Sequence, residues 1–350
     1  MRASCALLSG LALFGIDQPQ APASPTGTLV VSNMNDNTAS VIDVATSRVL
    51  AVLPTGEGPH EVSASHDGRW ALVSNYGIRG KPGHTLTVVD VEHAAVARTI
   101  DLHEYQRPHG SAFLPGDTLF VVTSETSKAI LVVDFRTGVV VRALPTNGRG
   151  SHMLGVSARG DRIVTGNIGD GTIAAISMST PNEPKLIPVA ASPEGVAITP
   201  DGTTAWVGSN RDSLVLVVNT ERAAVIDTLR HFGLPYRIAI SPDGARAVVT
   251  DPAKATVRAF DVATRRERFM VQIPSDSLVA TAEVPGSSSP EGVTISPDSR
   301  WAFVTLQGRN RVVSIDLADG RIVKWAVTGA WSDGIAYSPL THPDRGTHLH

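Results

Sequence analysis

The stretch Pro193-Glu194-Gly195-Val196-Ala197-Ile198 returns almost unchanged as Pro290-Glu291-Gly292-Val293-Thr294-Ile295. In both copies a proline and a polar residue precede alternating apolar residues, a pattern typical of a short strand entered from a turn. The same phrase recurs with variations elsewhere in the chain, at Pro59–Ala64, Pro108–Phe113, Ser151–Val156, 235–240 and 332–337. Seven copies of one strand indicate a repeat protein, so the period decides the fold.

The period of this repeat is that of a propeller blade. His109, His152, Glu194 and Tyr236 stand at one position of four consecutive copies, 43, 42 and 42 residues apart. About 42 residues is the length of one four-stranded blade. Two intervals are longer and predict insertions around 77–85 and 275–289. The sequence therefore predicts an all-β, seven-bladed β-propeller.

The two ends of the repeat region predict how the ring closes. The first repeat starts at Thr28 and lacks an inner strand, whereas the last copy, 332–337, has no strands after it. One C-terminal strand and three N-terminal strands would complete the last blade and leave no open sheet edge. We expect the propeller to span 28–338, with a tail at 339–350.

The N-terminus has the features of an export signal. Arg2 precedes a short apolar stretch, and Ala21-Pro22-Ala23 offers small residues for cleavage. We therefore interpret 1–23 as a signal peptide that is removed, and expect a periplasmic or secreted protein. The chain's single cysteine, Cys5, lies in this segment. The mature protein would then lack disulfides, a thiolate nucleophile and cysteine-bound metal.

Charge and hydropathy exclude two classes of partner. The formal net charge is −3 and no long run of Lys or Arg occurs, so we expect no nucleic-acid binding. No apolar run is long enough to cross a bilayer as a helix, so we expect no membrane span.

The repeats resemble the YVTN family of propellers. The matching residues include Leu29-Val30-Val31-Ser32-Asn33 and Ala71-Leu72-Val73-Ser74-Asn75, and the similarity covers residues 28–338. That family is related to surface-layer repeats, periplasmic propellers, propeller lactonases and the haem-bearing propeller of a nitrite reductase. The resemblance implies the fold, and it implies hydrolase or lyase chemistry at the channel mouth, as in the lactonases and in streptogramin-type lyases. Histidines replace the Glu, Asn and Asp metal set of the calcium lactonases.

Alignment of the seven repeats predicts a ring of polar side chains at one mouth of the channel. In blade order these are His60, His109, His152, Glu194, Tyr236, Glu291 and Asp333, with Glu61 and Arg237 one position later. Three imidazoles in consecutive blades favour a divalent transition metal such as zinc, iron, manganese or copper, held by His60, His109 and His152. We expect Glu194 or Glu291 to act as general base, and Arg237 and Tyr236 to hold a substrate group.

A second ring is expected in the loops after the second strands. Its members are Asn33, Asn75, Tyr76, Glu125, Asn167, Asn210, Asp251 and Gln307. Asparagine there is explained by turn geometry alone.

The sequence leaves two functions open. The first is a metal-binding hydrolase or lyase that acts on a small polar molecule at the channel mouth. The second is a non-catalytic binding or scaffold protein of the cell envelope with a small-molecule ligand or a protein partner. Metal-free acid–base chemistry by His109 or His152, or a polar lining for a wet channel, would also explain the ring.

Overall fold

The computed structural model describes residues 24–275 and 286–342, in which 28 strands form seven four-stranded antiparallel sheets. The predicted signal peptide at 1–23 and most of the insertion predicted around 275–289 lie outside the described residues. The chain begins with β1 (Thr28–Asn33), β2 (Thr38–Asp43) and β3 (Arg48–Pro54).

Six blades then follow in chain order, each with its strands arranged from the inside outwards. Blade one is β4 (Pro59–Ala64), β5 (Trp70–Ile78), β6 (Lys81–Asp90) and β7 (Ala95–Asp101). Blade two is β8 (Pro108–Phe113), β9 (Leu119–Ser124), β10 (Ala129–Asp134) and β11 (Val140–Pro145). Blade three is β12 (Ser151–Val156), β13 (Arg162–Asn167), β14 (Thr172–Ser177) and β15 (Lys185–Pro188).

The second half repeats this order. Blade four is β16 (Pro193–Ile198), β17 (Thr204–Ser209), β18 (Leu214–Asn219) and β19 (Ala224–Leu229). Blade five is β20 (Ile238–Ile240), β21 (Arg246–Asp251), β22 (Thr256–Asp261) and β23 (Glu267–Gln272). Blade six is β24 (Pro290–Ile295), β25 (Trp301–Leu306), β26 (Arg311–Asp316) and β27 (Ile322–Val327).

Blade seven joins the two ends of the chain. The last strand, β28 (Ser332–Ser338), pairs antiparallel with β1, and the sheet order is β28-β1-β2-β3. Thr28 lies opposite Ser338, and the Thr28 hydroxyl also donates to the Leu340 carbonyl at 2.7 Å. The predicted seven-bladed propeller is confirmed.

The core lies between neighbouring sheets because the middle strands of each blade are covered on both faces. In β17 only the first residue is not buried, and Trp206 has no exposed surface. One apolar cluster joins Leu72 and Leu86 of blade one to Phe120 and Leu131 of blade two, and such clusters recur around the ring. This packing holds the inner strands in a circle.

The turns after the inner strands follow from their sequence. Gly68, Gly202 and Gly244 have φ of 75°, 77° and 73°, which favours glycine. The side chains three residues and one residue before the glycine are hydrogen-bonded to each other, as where the Ser241 hydroxyl donates to Asp243 at 2.5 Å.

Two details differ from the expected strands. The insertion at 77–85 lengthens the β5–β6 hairpin, in which Ile78 pairs with Lys81. The inner strand predicted at 235–240 is reduced to β20, and just before it the Arg237 amide donates to the Thr250 side-chain hydroxyl at 3.1 Å.

Helical structure within the described ranges is confined to three short 3-10 turns, Met34–Asp36, Pro252–Lys254 and Gln307–Arg309. None of the described helices has the length and apolar character needed to cross a membrane.

Candidate functional site at the channel mouth

The mouth residues lie in irregular starts of the inner strands. In blade one, Pro59 pairs with Asn75 and Val62 with Val73, and the register shifts between these two pairs. The same irregularity recurs at the start of β8, β12, β16 and β24. A bulge of this kind redirects side chains away from the regular ladder. It thereby frees the second and third residues of the strand to face the channel.

The structure brings the three predicted histidines together. The ring centroids of His60 and His109 lie 5.4 Å apart, edge to face. Those of His109 and His152 lie 3.5 Å apart, with 29° between the ring planes. Tyr76 joins them, stacked on His60 with centroids 4.5 Å apart. Three blades therefore contribute to one cluster of rings.

His60 is neutral and has a defined tautomer. Its Nδ1 lies 3.0 Å from the Gly58 carbonyl, and because a carbonyl only accepts, Nδ1 carries the hydrogen. Nε2 is left with the lone pair. Burial lowers the pKa of His60 to about 4, although the bond to Gly58 opposes this shift. A metal-bound histidine often has this arrangement, with its second nitrogen donating to a backbone carbonyl.

His109 differs from the other two histidines because its ring makes no hydrogen bond. Only 1% of it is exposed, and neither ring nitrogen has a hydrogen-bond partner. Burial, followed by the charges of His152 and Arg237, holds its pKa well below the usual value. A buried polar group without a partner costs about 1–3 kcal/mol. The two nitrogens of His109 therefore point to a guest that would satisfy them.

His152 is charged and fully engaged. Its Nδ1 is bonded to Glu125, and its Nε2 lies 2.8 Å from Glu194 Oε1. Burial opposes the charge, but Glu194 and Glu125 outweigh it and raise the pKa of His152 to about 9. Both nitrogens donate, so this imidazolium has no lone pair for a metal in this arrangement.

The ion pairs continue across the channel. Arg237 donates from Nη1 to Glu194 at 2.8 Å, and from Nε and Nη2 to Glu61 Oε1 at 2.9 and 2.5 Å. Burial disfavours the charge of Glu194, but His152 and Arg237 outweigh it and lower its pKa to about 2. Glu125, His152, Glu194, Arg237 and Glu61 thus connect five blades through four ion pairs.

The predicted catalytic residues are placed as follows. Glu194 and Arg237 belong to this network, and the guanidinium carbon of Arg237 lies 4.3 Å from the ring centroid of Tyr236. Burial raises the pKa of Tyr236 well above its usual value. Glu291 has no exposed surface, and its two oxygens accept hydrogen bonds from Ser289 at 2.7 Å and Gln307 at 2.8 Å.

Five residues of the second ring fall into two groups. Asn33, Asn75 and Asn167 donate to threonine or serine hydroxyls of the following strand, which fits their expected structural role. Glu125 and Tyr76 instead join the histidines, and the Tyr76 hydroxyl donates to Glu125 at 2.6 Å. Our sequence-based site left out these two residues. Both stand one residue after the position that holds Asn33, Asn75 and Asn167, and the two positions were treated together as one ring.

Another group of possible metal ligands lies on the surface of blade one. One ligand atom each of Asp90, Glu92 and His93 lies within 4.8 Å of the others, the only group of three with this spacing in the described residues. His93 and Arg69 already pair with Asp90, at 3.1 and 3.8 Å. Since these groups are solvated and partly neutralised, they serve below only as a control.

Comparison with known proteins supports the fold. No model of a protein family matches the chain. The seven-bladed beta-propeller protein Rv1057 of Mycobacterium tuberculosis is 27% identical over 322 residues, which cover 85% of this chain and 75% of the relative. The specific likeness to YVTN propellers stays a prediction from the repeats.

Solved structures show the same architecture at low sequence identity. A functionally unknown protein from Desulfotomaculum acetoxidans has a TM-score of 0.71 at 14% identity, covering 91% of this chain and 100% of the other. Hydrazine synthase of Kuenenia stuttgartiensis has a TM-score of 0.66 at 18% identity, covering 81% and 90%. The Cps50 (Swd1) beta-propeller domain of Myceliophteria thermophila has a TM-score of 0.65 at 11% identity, covering 80% and 90%. The chain is therefore a seven-bladed β-propeller, similar in sequence to the mycobacterial propeller and in fold alone to these three structures.

Proposed function

We propose that the protein binds a divalent transition-metal ion at the channel mouth through His60 and His109. The observation that carries this proposal is the buried ring of His109, whose two nitrogens have no partner. His60 adds a neutral imidazole with its lone pair on Nε2. Neutral imidazole is the form that binds zinc, copper or iron, and both lowered pKa values favour it.

The surrounding charges support a cationic guest. Glu61, Glu125 and Glu194 bring three carboxylates close to the histidines, against the two cations His152 and Arg237. The sequence suggested His152 as a third ligand. In this proposal His152 is instead a cation that orders Glu125 and Glu194 beside the two ligands. A metal bound there would supply Lewis acidity.

Metal analysis of full-length, untagged protein tests the proposal. We expect about one equivalent of zinc, iron, manganese or copper after purification, or tight zinc uptake by calorimetry. The His60→Ala and His109→Ala double variant should lose it, whereas His93→Ala, which alters the surface group, should retain it. Equal metal content in the wild type and the double variant would overturn the proposal.

A hydrolase or lyase acting on a small polar molecule is the second candidate function. Arg107 supports it, because its guanidinium carbon lies 4.6 Å from the ring centroid of Tyr76 and the side chain is partly exposed. It offers a cation beside the histidines for an anionic or carbonyl group. The roles of Glu194 or Glu291 as base and of Arg237 and Tyr236 as anchors stay predictions.

An assay of catalytic turnover distinguishes an enzyme from a non-catalytic binding protein of the cell envelope. Metal-dependent hydrolysis within a panel of lactones and esters, lost in Arg107→Gln, would favour the enzyme. Tight metal binding without turnover would favour the binding protein. The proposed export is tested separately by N-terminal sequencing of the mature protein, which should begin after residue 23.

A further inference from the structure

One position of the repeat lies behind the mouth residues. It is the fifth residue of β1 and of the second strand of each blade from one to six. The position holds a hydroxyl side chain in five blades and glycine in the other two: Ser32, Ser74, Thr123, Gly166, Gly208, Thr250 and Thr305. None of the five hydroxyl residues has any exposed surface.

Each hydroxyl holds the backbone of a mouth residue in the next blade. Ser74 donates to the His109 carbonyl and Thr123 to the His152 carbonyl, both at 2.7 Å. Ser32 of blade seven donates to the His60 carbonyl of blade one. The same bonds reach Glu291 and Asp333 from blades five and six, at 2.7 and 2.8 Å. We call these five bonds the seam bonds.

The two glycines identify where the seam bond is missing. A Cβ at Gly166 would lie 2.6 Å from the Pro193 carbonyl, and one at Gly208 would lie 2.4 Å from the Pro235 carbonyl. The backbones approach too closely there for a side chain. The backbones of all three histidines are therefore held by seam bonds, whereas those of the mouth residues in blades four and five are not.

A tether on the carbonyl fixes the Cα position from which the imidazole projects. His109 itself has no hydrogen bond that would orient its ring, so the Ser74 bond to its carbonyl constrains the backbone that carries the ring. Metal ligands depend on such supporting contacts, whose loss typically weakens metal binding by about 10–100-fold.

We propose that Ser32 and Ser74 are positioning residues for the metal ligands His60 and His109, an inference that rests on the proposed metal-binding function. The seam bonds of Thr250 and Thr305 have the same chemistry but hold residues outside the histidine cluster. They therefore provide matched controls for a merely structural effect.

Zinc titration of four full-length proteins tests this. We expect Ser74→Ala to weaken zinc binding by about tenfold, and Ser74→Thr, which restores a hydroxyl, to recover most of it. Thr305→Ala should bind zinc as the wild type does, while losing similar thermal stability. Equal weakening in Ser74→Ala and Thr305→Ala, or none in Ser74→Ala, would overturn the inference.

A metal-free readout separates this inference from the proposed function. Imidazole proton–nitrogen NMR spectra of the apo-protein should show shifted His109 signals in Ser74→Ala and unchanged ones in Thr305→Ala. Should the wild type bind no zinc, the function fails, and these spectra alone decide whether Ser74 positions His109. If Ser74→Ala does not fold, Ser32→Ala and the His60 signals give the same comparison.

Discussion

The imidazole of His109 lies face to face on that of His152, with 3.5 Å between the ring centroids. The two rings differ in protonation. Burial and nearby cations keep His109 neutral, whereas two carboxylates keep His152 protonated and charged. The His152 ring therefore belongs to the buried network of ion pairs, whereas the His109 ring has no hydrogen bond and is a metal ligand in our proposal. The predictions below depend on this division.

Replacing His109 should stabilise the metal-free protein. His109→Phe keeps an aromatic ring but removes two buried nitrogens without partners, so we expect a gain of about 1–2 kcal/mol in unfolding free energy. Urea unfolding in the presence of a chelator measures it. His152→Phe is the matched control and should lose stability, because it leaves Glu125 without its ion-pair partner and Glu194 with Arg237 alone. A loss in His109→Phe equal to that in His152→Phe would contradict this prediction.

Stability should fall in alkaline solution. The pKa of His152 is raised from 6.5 to about 9, so its ion pairs contribute fully below pH 6.5 and are lost as the pH rises through 9. The contribution is on the order of 2–3 kcal/mol. Urea unfolding at pH 7 and pH 10 measures it, and the His152→Gln difference should be large at pH 7 and small at pH 10. If the stability difference between the wild type and His152→Gln is the same at pH 7 and pH 10, the prediction that His152 is charged is contradicted.

Zinc affinity should resist mild acid. A histidine of ordinary pKa loses about tenfold or more in metal affinity between pH 7 and pH 5.5, because protons compete for the lone pair. The pKa of His60 is lowered to about 4 and that of His109 is also low, so we expect a nearly constant affinity over this range. Competition with a chromophoric chelator measures it. A tenfold fall would show that the bound metal uses ordinary, solvated histidines.

Removing Arg237 should destabilise the propeller. Arg237→Met leaves Glu61 buried without its ion-pair partner and Glu194 with His152 alone, and breaking a buried ion pair typically costs about 3–5 kcal/mol. Thermal and urea unfolding measure it. A second change, Glu61→Gln, should restore part of the loss. Arg159→Met is the control, since Arg159 pairs with Asp161 on the surface, where solvent screens the pair, and its loss should leave stability nearly unchanged.

The repeat was sufficient to predict the fold because every blade packs against its neighbours through the same short sequence pattern. Strand bounds agree closely where the repeated phrase is regular, as in β4, which is predicted and observed at Pro59–Ala64. The exception is β20, which begins only at Ile238, next to the bond between the Arg237 amide and the Thr250 side chain. A one-dimensional pattern does not contain such bonds.

The site was predictable only as a ring of positions. Alignment placed His60, His109 and His152 on one rim, where their ring contacts now lie. Protonation and pairing depend instead on contacts between distant parts of the chain, such as Arg237 with Glu61, 176 residues apart. The sequence assigned Arg237 a role as substrate anchor without showing that it is 3% exposed and paired with Glu61 and Glu194, and that role stays a prediction.

Because β28 pairs with β1, the last blade can be completed only after Ser332–Ser338 has been synthesised. Ser32, which holds the backbone of His60, belongs to the sheet that Ser332–Ser338 completes. A growing chain that has made six blades still carries an unpaired edge and waits for its last segment, and such distant pairings form slowly. A product that stops short of residue 332 would therefore leave β1 without its inner partner strand, in the same sheet that carries Ser32 to the backbone of His60.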